Sequence, residues 1–342
     1  MDQSYRGGNR HDSSKKIRSV PVRLKAFQAL ERRLPEKHPK REHIERGRKN
    51  LLAGFAGERS LDYFLSCLRG ETPYWIYHDL RLKADSRYFF QMDTVVLTPR
   101  FILILEVKNY AGTVHFDEFG QVTRLHNGHK TSFANPIDQV QRQQMQLEHF
   151  LHMHHFPPVP VFGLVVFSSP STMLSAAGDT DKALNQQILK AEALPKRISQ
   201  FNDHFTTPFL TPTQMTDLSS LLLNTHTPLT KQLLFTYGIP SSDLLTGIHC
   251  PKCERLAMER LHRSSYWRCP HCQHKEKEAY VDTFRDYALL ISDRITNREA
   301  RTFLHIPSER YTLRLLQAMH LKHTGSTRLR VYQLTRLLEG RR

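Results

Sequence analysis

The sequence predicts a mixed α/β fold, and three observations predict it. Apolar residues recur at helical spacing across residues 44–68. Two apolar strands, 91–97 and 101–108, are joined by Thr98-Pro99-Arg100, and a continuous apolar run at 159–167 follows a helix-forming stretch. Helix, strand hairpin, helix, strand and helix in that order give a mixed sheet covered by helices. With 342 residues the chain has room for more than one domain, and 39% hydrophobic with 24% charged residues is a globular balance that argues against wholesale disorder.

Residues 1–20 are polar and basic without a hydrophobic period and read as a mobile arm, extended to residue 43 by a short helix that Pro35 and Pro39 punctuate. The 44–68 helix carries Leu51, Leu52, Phe55, Leu61, Phe64, Leu65 and Leu68, and Gly54 and Gly57 inside it imply either close packing or a break near Glu58. Cys67 falls at an apolar position and reads as a small buried hydrophobe. A strand at 75–80 precedes the hairpin. Residues 112–133 alternate β-like pieces with Glu118-Phe119-Gly120 and His126-Asn127-Gly128, which predicts one or two further hairpins. Asn135-Pro136 opens a glutamine-rich helix that ends near His152. After the 159–167 strand come a polar loop at 168–182 and helices near 195–205 and 212–225, which complete a unit over 44–226. Residues 227–247 read as a linker.

The formal net charge is +16. Residues 1–50 hold 15 Lys/Arg against 6 Asp/Glu and residues 282–342 hold 12 against 6, which leaves 22 against 21 for the 231 residues between them. Charge gathered at the ends fits a polyanion, because Lys and Arg gain free energy by releasing counterions from phosphates; solvated basic tails are the plainer reading. No run approaches the roughly 20 apolar residues of a membrane span. The first 16 residues have no apolar core behind their charges, so neither a membrane segment nor a secretory signal is expected, and the expected compartment is the cytoplasm.

Chemistry concentrates at the hairpin. Glu106 and Lys108 are two residues apart at the end of a strand, hence on one face. Counting outward from Pro99 brings Asp93 beside Glu106 to within one residue of register. Two carboxylates at the ends of buried strands repel unless a cation neutralises them, and Mg²⁺ or Mn²⁺ suits hard oxygen donors. Such an ion can hold a phosphate oxygen and activate water, with Lys108 orienting that water or sharing the developing charge. A strand-end salt bridge between Glu106 and Lys108 is the alternative on these residues alone. Gln139 and Gln143, at i and i+4 on the following helix, face either substrate or solvent.

Asp93 followed by Glu106-Val107-Lys108 resembles the PD-(D/E)xK restriction-endonuclease-like superfamily. Over residues 44–170 the chain resembles the nuclease-related domain (NERD) family, through GFAGERSLDYFL, QMDTVVLTPRFILILEVKNYAGTV and NPIDQVQRQ. That resemblance implies a restriction-endonuclease-like mixed sheet flanked by helices, and metal-dependent hydrolysis of phosphodiester bonds, with DNA as the expected polymer. It further implies Glu58 as a third metal ligand beside Asp93 and Glu106, and a site role for Gln139. The chain departs from the superfamily pattern in having Met92, not proline, before Asp93. The rival reading is a nucleic-acid-binding or regulatory protein that keeps the nuclease fold without turnover.

Cys250, Cys253, Cys269 and Cys272 form C-x₂-C-x₁₅-C-x₂-C, the spacing of a zinc ribbon, here placed at 248–281. Four thiolates leave no open coordination position, so the zinc is expected to be structural. Tyr266 and Trp267 between the pairs read as core, with base stacking as the alternative. Residues 282–342 predict helices at 282–291, 296–304 and 308–320 and a hairpin within GSTRLRVYQL. They resemble a winged helix-turn-helix that sets Arg310, Tyr311 and Arg314 against DNA, or else form a helical cap on the ribbon.

Overall fold

The computed structural model describes residues 14–68, 72–85, 87–176, 186–228, 233–261, 264–326 and 329–338. Its chain divides into two compact units, Met1–Ser19 with Ala53–Pro228, and Val20–Leu52 with Leu229–Arg342. The fold is mixed α/β, as the sequence predicts.

In chain order the first elements are β1 (Ser14–Lys16), α1 (Val22–Arg33), α2 (Arg41–Ser66), β2 (Trp75–Lys83), β3 (Phe89–Leu97) and β4 (Ile102–Lys108). There follow β5 (Gly112–Phe116), β6 (Val122–His126), β7 (His129–Phe133), α3 (Pro136–Met153), β8 (Val161–Phe167), β9 (Thr172–Ala176), β10 (Ile188–Lys190), α4 (Leu194–His204) and α5 (Pro212–Thr225). The first unit is built on a six-stranded sheet ordered β1-β2-β3-β4-β8-β10. Its centre is the β3–β4 hairpin, antiparallel from Leu97↔Ile102 to Thr94↔Leu105, and β4 runs parallel to β8 along its whole length. Alternate residues of β4 serve opposite faces. Ile102 and Ile104 join the core made with Val140, Leu147 and Phe150 of α3, while Leu103, Leu105 and Val107 join the core made with Leu61 and Leu65 of α2 and Ile198 of α4. By the same alternation Glu106 and Lys108 lie on the α3 face.

Asn135 caps α3 through the Ile137 amide, with Pro136 where its missing N–H costs nothing. The hairpins expected at 112–133 form a separate sheet, β7-β6-β5-β9, whose β6–β7 turn puts Asn127 and Gly128 in the left-handed region. Three short segments escaped sequence reading. Residues 14–16, read as arm, pair with β2, β9 lies within the expected 168–182 loop, and β10 adds an edge. Strands this short carry too few residues to show a period. The expected arm continues over residues 1–13, and the expected loop over 177–182, outside the described residues. Residues 41–66 form one helix without the break considered at Gly54 and Gly57. Cys67 is exposed, not buried, because it follows the last turn of α2.

The second unit holds α1, the first turns of α2, α6 (Leu233–Tyr237), the strands β11 (Glu259–Arg260), β12 (Trp267–Arg268) and β13 (Lys275–Glu276), α7 (Ala279–Leu290), β14 (Arg294–Thr296), α8 (Asn297–Leu304), α9 (Glu309–Ala318), β15 (His323–Thr324) and β16 (Val331–Gln333). The stretch read as a linker instead contributes Leu233, Leu234, Ile239 and Leu244 to a core with Phe27, Leu30 and Ile44, its apolar run Leu233-Leu234-Phe235 being too short to show a helical period. The α1 residue Arg33 is fully buried, bonded by Nε to Asp286 Oδ2 at 2.8 Å and by Nη1 to the carbonyl oxygens of Leu245 and Gly247, and Arg32 pairs with the other oxygen of Asp286. Asp286→Ala removes the carboxylate and leaves Arg33 buried and unpaired, so a loss of about 3–5 kcal/mol is expected in urea unfolding followed by far-UV circular dichroism. An unchanged unfolding midpoint would show that the pair carries no stability.

Candidate active site

The site lies where the β3–β4 hairpin ends. Register carried one step beyond Thr94↔Leu105 sets Asp93 opposite Glu106, as counting from Pro99 predicts. Asp93 Oδ2 accepts from the Val107 amide at 2.9 Å, so this carboxylate closes the ladder and is fixed across the strand from Glu106. Glu106 is buried, 3% exposed, at the end of a strand that is apolar from Ile102 to Leu105. Its Oε1 accepts from Lys108 Nζ at 2.7 Å and from Gln139 Nε2 at 2.7 Å, and its Oε2 accepts from Gln143 Nε2 at 2.8 Å. Lys108 Nζ also donates to Gln139 Oε1 at 3.0 Å. One turn of α3 therefore supplies both glutamines, and they face neither bare solvent nor substrate alone but lock the Glu106 carboxylate.

Glu58 arrives from the helix on the opposite face of the sheet, and Gly57 is what lets it approach. A Cβ on Gly57 would sit 2.4 Å from Asn109 Cβ and 2.6 Å from Ser168 Oγ, so α2 packs by its backbone against the chain just after β4 and β8. Asn109 Nδ2 ties the two together by donating to the Ala53 carbonyl oxygen at 2.7 Å. Gly54 has open space around it, so only the second of the two glycines is a packing requirement.

The electrostatics follow from crowding. Burial, then the neighbouring charges of Glu106 and Glu58, push the Asp93 carboxyl well above its ordinary range. Burial pushes Glu58 up to about 7 against the pull of Arg18, with Asp79 and Glu106 adding to the rise. Burial works against the Lys108 ammonium, but Glu106 more than offsets it, and the lysine is held protonated above its ordinary value. The acids thus repel one another more than the surrounding donors relieve, while among the described residues no donor reaches Asp93 Oδ1 or Glu58 Oε1. Gln143 Oε1, beside Glu106, is buried without a partner. Hard oxygen donors in mutual repulsion are what a divalent cation such as Mg²⁺ or Mn²⁺ would relieve, although among the described residues the four cysteines, and not these acids, gather within metal-ligand reach of one another.

A second row of residues was not anticipated from sequence. Arg18, 4% exposed in its side chain, donates from Nη1 to Glu58 Oε2 at 2.8 Å, from Nε to Asp62 Oδ1 at 3.1 Å and from Nη2 to Thr94 Oγ1 at 3.1 Å, and it lies 2.8 Å from His78 Nδ1. Burial, with Arg18 and Lys16 nearby, lowers His78 to about 3, so it is neutral. Asp79 interrupts the β2–β3 ladder between His78↔Thr94 and Leu80↔Met92 with a left-handed φ of 51°, directly across from Asp93. Nothing in a short basic segment marks Arg18. A polar pair inside a strand, His78-Asp79, is the one available signal, and an aspartate tolerates the left-handed region better than most residues.

Residues 53–168 match the nuclease-related domain family, NERD. The matched segment contains Gly57, Glu58, Asp79, Asp93, Glu106, Lys108, Gln139 and Gln143, whereas Arg18 and the four clustered cysteines lie outside it. No curated protein and no solved structure matches the chain. Over about a third of its length the chain is thus similar to this nuclease-related family, and that stretch includes the acids and the lysine described above.

The cysteine cluster occupies the second unit. Cys250, Cys253, Cys269 and Cys272 bring their sulfurs within 4.8 Å of one another, with Cys250 and Cys272 at 3.5 Å and Cys253 and Cys269 at 3.6 Å. Sulfurs bound about 2.3 Å from one zinc in a tetrahedron lie about 3.8 Å apart, so the set could hold zinc with no coordination position left open. The two pairs have the same backbone. Each first cysteine accepts through its carbonyl oxygen from the amide four residues on, at Glu254 and Gln273, both left-handed, and its own amide donates five residues on, to Arg255 and His274. Amides of Cys272 and His271 pull the Cys269 thiol down to about 7, though its burial opposes them. Of the three residues proposed for nucleic-acid contact, Arg310 and Arg314 are exposed one turn apart, while Tyr311 is buried against Trp267.

Two outcomes follow. Gly57→Ala forces α2 away from Asn109 and Ser168 and is expected to lower the melting temperature and at least halve divalent-cation affinity in calorimetry; an unperturbed affinity would mean that Glu58 needs no such approach. Metal analysis is expected to find a single zinc per chain that is absent when Cys269→Ser and Cys272→Ser are combined. Zinc retained in that double variant would place it elsewhere.

Proposed function

We propose that the NERD unit is a metal-dependent nuclease hydrolysing phosphodiester bonds, with DNA as its polymer. The observation that carries this reading is the juxtaposition of Asp93 and Glu106 across one hairpin, with Lys108 2.7 Å from Glu106 on the same face. When bound, Mg²⁺ or Mn²⁺ would supply neutralisation of phosphate charge and activation of water. Asp93, Glu106 and Glu58 would hold the ion. Gln139 and Gln143 fix the Glu106 carboxylate by three hydrogen bonds shared with Lys108, so its oxygens need not reorganise when substrate arrives. Lys108, held protonated, is positioned to orient a water or to meet negative charge growing on the phosphate. Gln139 steadies the ammonium as well as the carboxylate, which makes it a positioning residue.

The overall arrangement is read as restriction-endonuclease-like, with the cysteine unit as a zinc ribbon. Beyond it the order α7, β14, α8, α9, β15, β16, with the strands sheeted as β14-β16-β15, supports a winged helix-turn-helix in which α9 presents Arg310 and Arg314 to DNA. Part of the proposed wing, residues 327 and 328, lies outside the described residues. No helix among those described is long and apolar enough to cross a membrane, and reduced thiols at the cysteine cluster suit the cytoplasm as the proposed setting. One observation favours the silent alternative: the Arg18 guanidinium occupies one oxygen of Glu58, a charge arrangement that also stabilises an acid with no metal.

Lysine and carboxylate play different parts, which separates the readings. Lys108→Ala is expected to cut cleavage by about a hundredfold or more while leaving divalent-cation binding intact, because a cation cannot be a ligand. Asp93→Ala and Glu106→Ala are expected to lose both. Calorimetry with Mn²⁺ beside a cleavage assay reads the two properties, and Lys108→Ala cleaving as fast as the parent would leave only a strand-end salt bridge.

A further inference from the structure

The cysteine unit carries an aromatic cavity that the catalytic reading does not use. Its volume is about 480 Å³, within the range of cavities that take small ligands. Leu256, Met258, Arg260, Trp267, Ile306 and Tyr311 are among its walls, so β11, β12 and the start of α9 enclose it together. Trp267 and Tyr311 stand 6.4 Å apart at a tilt of 43°, and the Arg260 guanidinium lies 3.7 Å from the centre of the Tyr311 ring. Arg260 itself is exposed, so the outer face of its planar guanidinium is open to solvent above an aromatic floor. Planes of this kind, arginine upon tyrosine, are what unpaired nucleobases stack on.

A second cavity adjoins the first through His305, Ile306 and Pro307 and is walled otherwise by Arg298, Arg301 and Thr302, with no carboxylate. Arg298 is exposed. The Arg301 Nε is buried without a hydrogen-bond partner, although its Nη1 donates to the Pro307 carbonyl oxygen. His305 holds the turn between the cavities in a left-handed conformation and bonds to Thr246. An aromatic cavity, with Glu259 also in its wall, next to an arginine-lined one matches a ligand with a flat ring at one end and a phosphate at the other.

We propose that this pair of cavities binds single-stranded nucleic acid, the first taking an unstacked base on Arg260 and Tyr311 and the second its phosphate on Arg298 and Arg301. The proposal rests on the nucleic-acid reading above; it shares Tyr311 of α9 with that reading but uses Arg260, Arg298 and Arg301 in place of Arg310 and Arg314, and it concerns binding without turnover. DNA and RNA strands share this chemistry.

The test uses the full chain without added Mg²⁺ or Mn²⁺, so that a failed nuclease assignment leaves it untouched. Trp75 and Trp267 are the two tryptophans of the chain, so in a Trp75→Phe background the emission reports Trp267 alone. A deoxythymidine strand about ten nucleotides long and a uridine strand of the same length are titrated, each also labelled for anisotropy. Expected are quenching of Trp267 and an affinity that falls about tenfold in Arg260→Ala and about tenfold in the combined Arg298→Gln and Arg301→Gln variant. Both single arginine sites at the mouth are exposed, so Arg260→Ala and Arg298→Gln should fold as the parent does. An abasic strand should be insensitive to Arg260→Ala while remaining sensitive to the arginine pair. Absence of quenching with unchanged affinity in both variants, or a preference for duplex over single strand that both variants leave intact, would overturn the proposal.

Discussion

Asp93 and Glu106 cannot both be ionised at the end of a buried hairpin without something to hold their charges apart or neutralise them, and much of the first unit is arranged around that requirement. The β3–β4 register places the two acids opposite each other, and the Val107 amide and the α3 glutamines then fix their oxygens. Lys108 offsets one charge and is itself kept protonated by it. The relief is incomplete, since Asp93 and Glu58 are still pushed well above ordinary carboxylates. A protein that needed only a stable strand end would gain by replacing these buried charges with apolar side chains. Retaining them makes sense when a cation and a phosphate complete the balance.

The same requirement reaches into the packing. Glu58 can contribute only if α2 comes close to the loops that leave β4 and β8, and Gly57 removes the one side chain that would prevent it. Asp79 takes a left-handed φ opposite Asp93, a conformation that costs on the order of 1–3 kcal/mol and persists where the surroundings demand it. Lys16 donates to the carbonyl oxygens of His78 and Asp79, so the short strand β1 braces this strained turn while delivering Arg18 to Glu58 and Asp62. Backbone strain, a helix glycine and an edge strand thus converge on one carboxylate group.

The legible parts of the sequence were those in which period and chemistry coincide. Strand alternation and a turn at Pro99 sufficed to bring Asp93 beside Glu106, and cysteine spacing sufficed to bring four thiols together. Arg18 and Asp79 were invisible because their positions depend on a three-residue strand and on a local reversal of φ, neither of which leaves a periodic trace. Gln143 was visible as a helix neighbour of Gln139, but which atoms it bonds depends on the distance between α3 and β4. Cys67 was misread because helical period continues past the point where the helix ends. The helix-turn-helix resemblance sets Tyr311 against DNA beside Arg310 and Arg314, whereas the helix turns it inward, toward Trp267.

Whether this group of acids turns over a phosphodiester with a divalent ion decides the role of the site. The most direct measurement incubates purified protein with supercoiled and linear DNA under Mn²⁺, under Mg²⁺ and without either, beside Glu106→Ala at equal concentration. Nicking or shortening by the parent protein is expected only with the ion, and not in Glu106→Ala. Cleavage that proceeds equally without the ion, or equally in Glu106→Ala, would contradict that role.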